Sequence, residues 1–264
     1  MKKYFQIIKG TWAEYMVYRL SFVLWRVRIV MQLLVTYFLW WAIFSQHETL
    51  FGYTQSMMLT YILLSAVVRP FVMGTRTQEV GMMINDGSLS NYLTRPINLF
   101  RLFWSRDIAD KSLNIIFAIG EIAILILLLK PSIILQANIT VLLFTFLALV
   151  IGVVLFFYFS MLLSLLGFWT SEIWGPRFLS FILVEFFGGM LFPLDILPES
   201  LFRVSTLLPF SYFIYFPLKV YLGQLSVISM ISGLGVGLVW ALGLKLLTEL
   251  LWRRGLMVYS SEGK

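Results

Sequence analysis

Apolar residues run along this chain in long blocks separated by short polar patches. Six blocks reach or approach the ~18–20 residues that cross a bilayer as helix: 24–44, 55–73, 112–130, 139–168, 177–194 and 226–250. Strands of a membrane barrel would alternate apolar and polar residues. Runs such as "IIFAIGEIAILILLL" do not, so the pattern predicts an all-α polytopic membrane protein built as one transmembrane domain over 1–264. At 1.5 Å per residue the fourth block is ~45 Å long and should tilt or project beyond the bilayer. Ahead of the first block, 1–23 is amphipathic. Phe5, Ile8, Trp12, Tyr15 and Met16 share one helical face, and Lys2, Lys3, Gln6, Lys9 and Ala13 the other, which predicts a helix lying on the membrane surface. Lys9, Glu14 and Arg19 interrupt the unbroken apolar region that a signal peptide needs.

Two polar interruptions are long, 74–111 and 195–225. In the first, Asp86-Gly87 is a turn signal. Ser88 is expected to cap a short helix "LSNYL" before Arg95-Pro96 interrupts it. Pro96 then suits the first turn of a helix leading into the third span. Leu99, Phe103 and Trp104 should bury against membrane or protein, while Arg95, Arg101 and Arg106 meet headgroups or a partner. The result is a docking knob between two spans. The second interruption contains "FPLDILPESLFRVSTLLPFSYFIYFP", where Pro193, Pro198, Pro209 and Pro217 account for half of the chain's 8 prolines. Backbone with missing helical hydrogen bonds sits at membrane depth only where protein or a water-lined cavity satisfies it. Two short helices, 196–207 and 211–221, are therefore expected as an outer re-entrant hairpin.

Composition supports this reading. Charged residues make up 12% of the chain, about half the usual share of a soluble domain, and mean hydropathy is +0.89. Cys is absent, which excludes disulfides and Cys-ligated metal. The net charge of +7 fits cytoplasmic membrane flanks rather than nucleic acid. If the N-terminus is cytoplasmic, 17 of the 20 Lys and Arg lie inside, leaving Lys130, Arg203 and Lys219 outside. The positive-inside rule then places both termini in the cytoplasm, with 74–111 inside and 195–225 outside. A bacterial inner membrane fits this bias. No internal repeat is visible, which disfavours an inverted-repeat carrier.

Catalytic and metal-binding patterns are sparse. The single His, His47, falls in an outer loop, which rules out H-E-x-x-H sites. No P-loop occurs, so ATP and Mg are not expected to bind this chain through one. "GLGVG" lies inside the last block, where Ser229, Gly233, Gly237 and Ala241 repeat every four residues as a small-residue packing face. Two acids, Glu121 and Glu185, lie within the membrane, where a charge costs on the order of 2.5–3.5 kcal/mol. Each is expected either to line a pathway for cationic or polar cargo or to be bonded at a helix interface.

"DGSLSNYLTRPINLFRLFWSRDIADK" at 86–111 and "GGMLFPLDILPESLFRVSTLLPFSYFIYFP" at 188–217 resemble the type-2 ABC (ATP-binding cassette) permeases. The chain is most similar to a six-span subgroup of multidrug-exporter-like subunits. The family pattern is met by Gly87, Leu89, Leu93, Arg95 and Pro96, and by Gly189, Pro193, Leu194, Leu197, Pro198, Leu208, Pro209 and Phe210. The resemblance implies pairing with a second permease copy or paralogue and separate ATPase subunits that bind ATP and Mg. It also implies coupling through Ser88, Leu89, Tyr92, Leu93, Arg95 and Pro96, and an outer gate involving Gly188, Gly189, Pro193, Pro198 and Pro209. Rival readings are a proton-coupled carrier using Glu121 and Glu185, and a membrane scaffold.

Overall fold

A computed structural model describes residues 2–260, with side chains from residue 6. The expectations for Lys2, Lys3 and Phe5, and for Lys264, fall outside the described side chains. Helix α1 (Lys2–Val17) ends at Tyr18, and α2 (Arg19–Phe44) continues from it. A two-residue turn at Phe51-Gly52 joins β1 (Thr49–Leu50) and β2 (Tyr53–Thr54) in a minimal hairpin. Thr54 then caps α3 (Gln55–Met73) by accepting from the Met57 N–H. After a break at 74–77 come α4 (Gln78–Asn85) and α5 (Ser90–Leu93). The asparagines Asn98 and Asn138 cap α6 (Leu99–Leu129) and α7 (Ile139–Leu165), each satisfying N–H groups that a helix start leaves free. The chain continues through α8 (Trp174–Phe187), α9 (Glu199–Leu207) and α10 (Tyr215–Tyr221) to α11 (Val227–Val258).

Among the described residues, five stretches are long and apolar enough to cross a membrane: Arg19–Phe44, Gln55–Asn85, Leu99–Leu129, Ile139–Phe168 and Val227–Val258. The expected fifth block, 177–194, differs. Its helix α8 has 14 residues, or ~21 Å, against a hydrocarbon core of about 30 Å. Gly188 and Gly189 end it, Gly189 having φ +76°, a conformation most residues avoid. The third block and the helix expected ahead of it from Pro96 form one element, α6, which begins at Leu99. Asn98, not Pro96, supplies the helix start.

Side-chain contacts fix the direction of each helix. At one end, Arg76 pairs with Glu14, Arg177 bonds Ser164, and Phe100 packs edge-on against Trp252 at 5.6 Å. At the other end, Trp40 donates to Leu191 O, and Gln136 bonds Tyr221 O. So α2, α6 and α8 run away from the first end, while α3, α7 and α11 return to it. Both described termini lie at that first end.

α7 is the central post, packed by α11, α3, α4 and α10. One side of α11 is buried at Met230, Gly237, Ala241, Leu244, Thr248 and Gly255. A Cβ on Gly237 would meet Ile151 Cγ2 at 2.9 Å, and one on Gly233 would meet the Phe216 ring. Ser229 corrects the expectation. It is exposed, and its N–H bonds the capping Ser226 instead. α1 lies along α6, with Trp12 Nε1 donating to Ala109 O at 3.0 Å and Tyr15 bonding Asp110. Its inward face centres on buried Thr11, whereas Trp12 and Met16 are exposed.

Candidate functional site

Three assemblies lie on this frame: a turn at the termini end, a polar lock at the opposite end, and a cavity between them. The turn begins where α4 stops. Gly87, at φ +76°, reverses the chain at the Asp86-Gly87 signal. Ser88 does not cap α5 as expected; its N–H donates to Asp86 Oδ1 at 2.9 Å. Hydrogen bonds from Ser88 hold the Asp86 carboxyl below its usual range, because they favour the charged form. Leu89 is fully buried among Met83, Phe103 and Leu165, and its N–H reaches Met83 O at 3.0 Å. Tyr92 is half-buried, while Leu93, Arg95 and Pro96 are exposed. A buried anchor therefore carries an exposed tip.

Tyr259, just beyond α11, holds this turn. Its hydroxyl donates to Gly87 O at 2.6 Å and accepts from the Ser90 N–H at 3.0 Å. Beneath it, Gly255 allows the Phe168 ring to approach α11. Neither contact was foreseen, as Tyr259 is 169 residues from Ser90.

A largely buried charged network lies on the segments that flank the turn, before α4 and within α6. Asp107 accepts from Thr75 Oγ1 at 3.0 Å and from the Arg76 N–H at 3.1 Å, and pairs with Lys111 at 3.4 Å. Arg76 reaches Glu14, Glu79 and Asp110, and so joins α1, α4 and α6. Arg106 pairs with Glu79 inside the protein, instead of facing headgroups or a partner as expected. Thr77 Oγ1 donates to Ser160 Oγ at 2.7 Å and extends the network to α7.

At the opposite end, the Tyr53 hydroxyl donates to Asp195 at 2.9 Å, while Lys219 pairs with Asp195 and donates to Tyr53 at 2.8 Å. Burial, and then the Asp195 carboxylate, push the Tyr53 phenol up, so it stays a donor. Tyr61 bonds Gly189 O, and the Tyr215 N–H donates to Gly188 O at 3.0 Å. A Cβ on Gly189 would lie 2.7 Å from both Tyr61 Oη and Tyr215 Cβ. Pro193, Pro198 and Pro209 each stand where a short helix begins, a position suited to a fixed φ and a missing donor.

Between these ends, a cavity of about 400 Å³ is walled by α2, α3, α7 and α8. Glu185 lines it and pairs with Arg69 at 3.0 Å. Glu121 lies elsewhere, in a shallower groove between α2 and α6, where Arg26 Nε donates to it at 2.7 Å and Nη2 completes a two-pronged pair. The two glutamates do not share a site. Both arginines had been expected only among the cytoplasmic positive flanks.

The model for "ABC-2 family transporter protein" matches residues 12–263. The chain belongs to the ABC-2 transporter family. It is thus a multi-pass membrane component of an ABC transporter, in a family whose membrane subunits generally work with ATP-binding cassette ATPase partners. No curated protein matches it.

Proposed function

We propose that this chain is the permease subunit of an ATP-binding cassette exporter, moving an amphipathic, drug-like or lipid-linked substrate outward. Separate ATPase subunits bind ATP and Mg and dock on the exposed tip at Leu93, Arg95 and Pro96. A second permease, identical or paralogous, completes the pathway in the lipid bilayer. The observation that carries this reading is the turn itself: a fully buried Leu89 joined to an exposed tip. Force applied at the tip passes into α4 and α7 through the buried cluster, and into α11 through Tyr259. ATP binding then favours one of two packed arrangements, as any ligand with differential affinity does.

The membrane placement follows the charge bias: both termini in the cytoplasm of a bacterial cell, with the sixth crossing made by α8. An even number of crossings is required when both ends of the chain share a side, and the direction of α8 supports this count. Helices α9 and α10 form the re-entrant outer gate, held by Tyr53, Asp195 and Lys219. Pairing of both glutamates with arginine weighs against a proton-coupled carrier.

Purification of the tagged chain from its native cells in mild detergent tests the reading. A P-loop ATPase is expected in stoichiometric amount, with ATPase activity in the eluate. Its absence, under conditions that preserve a known ABC complex, would overturn the assignment.

A further inference from the structure

The cavity has a direction. Along α2 its wall runs from Trp25 and Arg28 through Gln32 to Leu33 and Thr36, and along α3 it runs back from Ile62 to Arg69 and Gly74. Because these helices are antiparallel, Arg28, Arg69 and Gln78 gather at the end nearer the termini. Ile62, Leu33, Leu191 and Ile214 gather at the far end. A lipid in the leaflet on the termini side has the same polarity, with its headgroup toward that side and its chain toward the bilayer centre.

The charges in the cavity do not cancel. Glu185 is committed to Arg69, and Arg28, exposed on the same wall, has no ion-pair partner among the described residues. Arg28 lies nine residues into α2 from Arg19, or ~14 Å along the helix. An unpaired cation within a candidate membrane span is unfavourable and marks a ligand path or a partner by default. Guanidinium suits oxyanions in particular, because its planar fork can give two hydrogen bonds to one phosphate or carboxylate.

We propose that this cavity binds the anionic headgroup of a membrane amphiphile taken from the leaflet on the termini side. Arg28 binds the anion. The Arg69–Glu185 pair forms the polar wall beside it, and the apolar far end receives the chain. This deepens the permease reading by naming a substrate class, and sets an anionic headgroup beside Arg28 against the expectation that Glu185 either lines a pathway for cationic or polar cargo or is bonded at a helix interface. It rests on that reading only for transport; binding belongs to the chain alone.

The test uses the full-length chain reconstituted in phosphatidylcholine vesicles doped with a photoactivatable phosphatidylglycerol, or with the matching phosphatidylcholine probe. Cross-linked peptides are mapped by mass spectrometry. Phosphatidylglycerol adducts are expected within 25–36 and 62–74, exceeding phosphatidylcholine adducts by about tenfold, the factor set by ~1.4 kcal/mol. Arg28→Gln should erase the excess and Arg28→Lys should keep most of it. Equal labelling by the two probes, or an excess unchanged in Arg28→Gln, would overturn the proposal. Displacement of the adducts by millimolar inorganic phosphate would assign the site to a free anion and overturn the amphiphile. Should Arg28→Gln fail to fold, the comparison of headgroups on the unaltered chain still decides. ATPase is absent from the assay, so failure here leaves the permease reading standing, and failure to co-purify an ATPase leaves this result intact.

Discussion

At the residue scale, the decisive side chains act in pairs drawn from distant parts of the sequence. Lys219 and Asp195 are both largely shielded from solvent and share Tyr53. Removing one partner of such a pair strands the other charge, at a cost of about 3–5 kcal/mol. Lys219→Met should therefore lower the melting temperature in detergent sharply, and adding Asp195→Leu should recover part of the loss. Equal melting of Lys219→Met and the parent would show that the lock does not hold the short helices around it. These pairings were illegible in the chain. Asp195 read as an interruption and Lys219 as an outer charge, because nothing local shows that residues 24 apart on different short helices converge. For Arg26 and Glu121 the separation is 95 residues, beyond the reach of any periodicity argument. What could be read was that Glu121 and Glu185, being in apolar blocks, needed partners.

At the scale of elements, periodicity located the α2, α3, α7 and α11 blocks, since a bilayer demands long runs of apolar residues. Ends were harder. α6 starts at Leu99 and runs unbroken into the third block, with a polar first half that holds Asp107, Asp110 and Lys111, residues that low hydropathy leaves outside the span and that the charged network allows inside. On α11, Gly233 and Gly237 lie against Phe216 and Ile151 and Ala241 is buried, whereas Ser229 at the cap is exposed and the close approach continues to Gly255. Gly237→Leu should consequently prevent close approach to α7 and reduce the yield of monodisperse protein, whereas Ser229→Leu should be tolerated. Similar yields for both would refute the packing face. The turn at 86–96 gives a milder prediction. Tyr259→Phe removes the hydroxyl bonded to Gly87 and Ser90, each such bond contributing about 0.5–1.5 kcal/mol. Folding should survive, while transport per ATP hydrolysed should fall in the assembled complex. An unaltered ratio would mean that α11 takes no part in transmission.

For the molecule as a whole, the proposed topology sets the termini and the turn on the cytoplasmic side and the lock at 53, 195 and 219 on the outer side, a placement that rests on the charge bias. The native chain contains no Cys, so single cysteines can report this without background. A cysteine at His47 should react with an impermeant maleimide in intact cells, and one at Arg95 only after permeabilisation. The reverse order would invert the account. The central claim is that an ATPase grips the exposed tip of the 86–96 turn, and a photo-cross-linker at Leu93 in native membranes tests it most directly. The account predicts a covalent adduct with a P-loop ATPase from Leu93 and none from the same probe at His47. An ATPase that co-purifies with the chain yet never cross-links from Leu93 or Arg95 would contradict it.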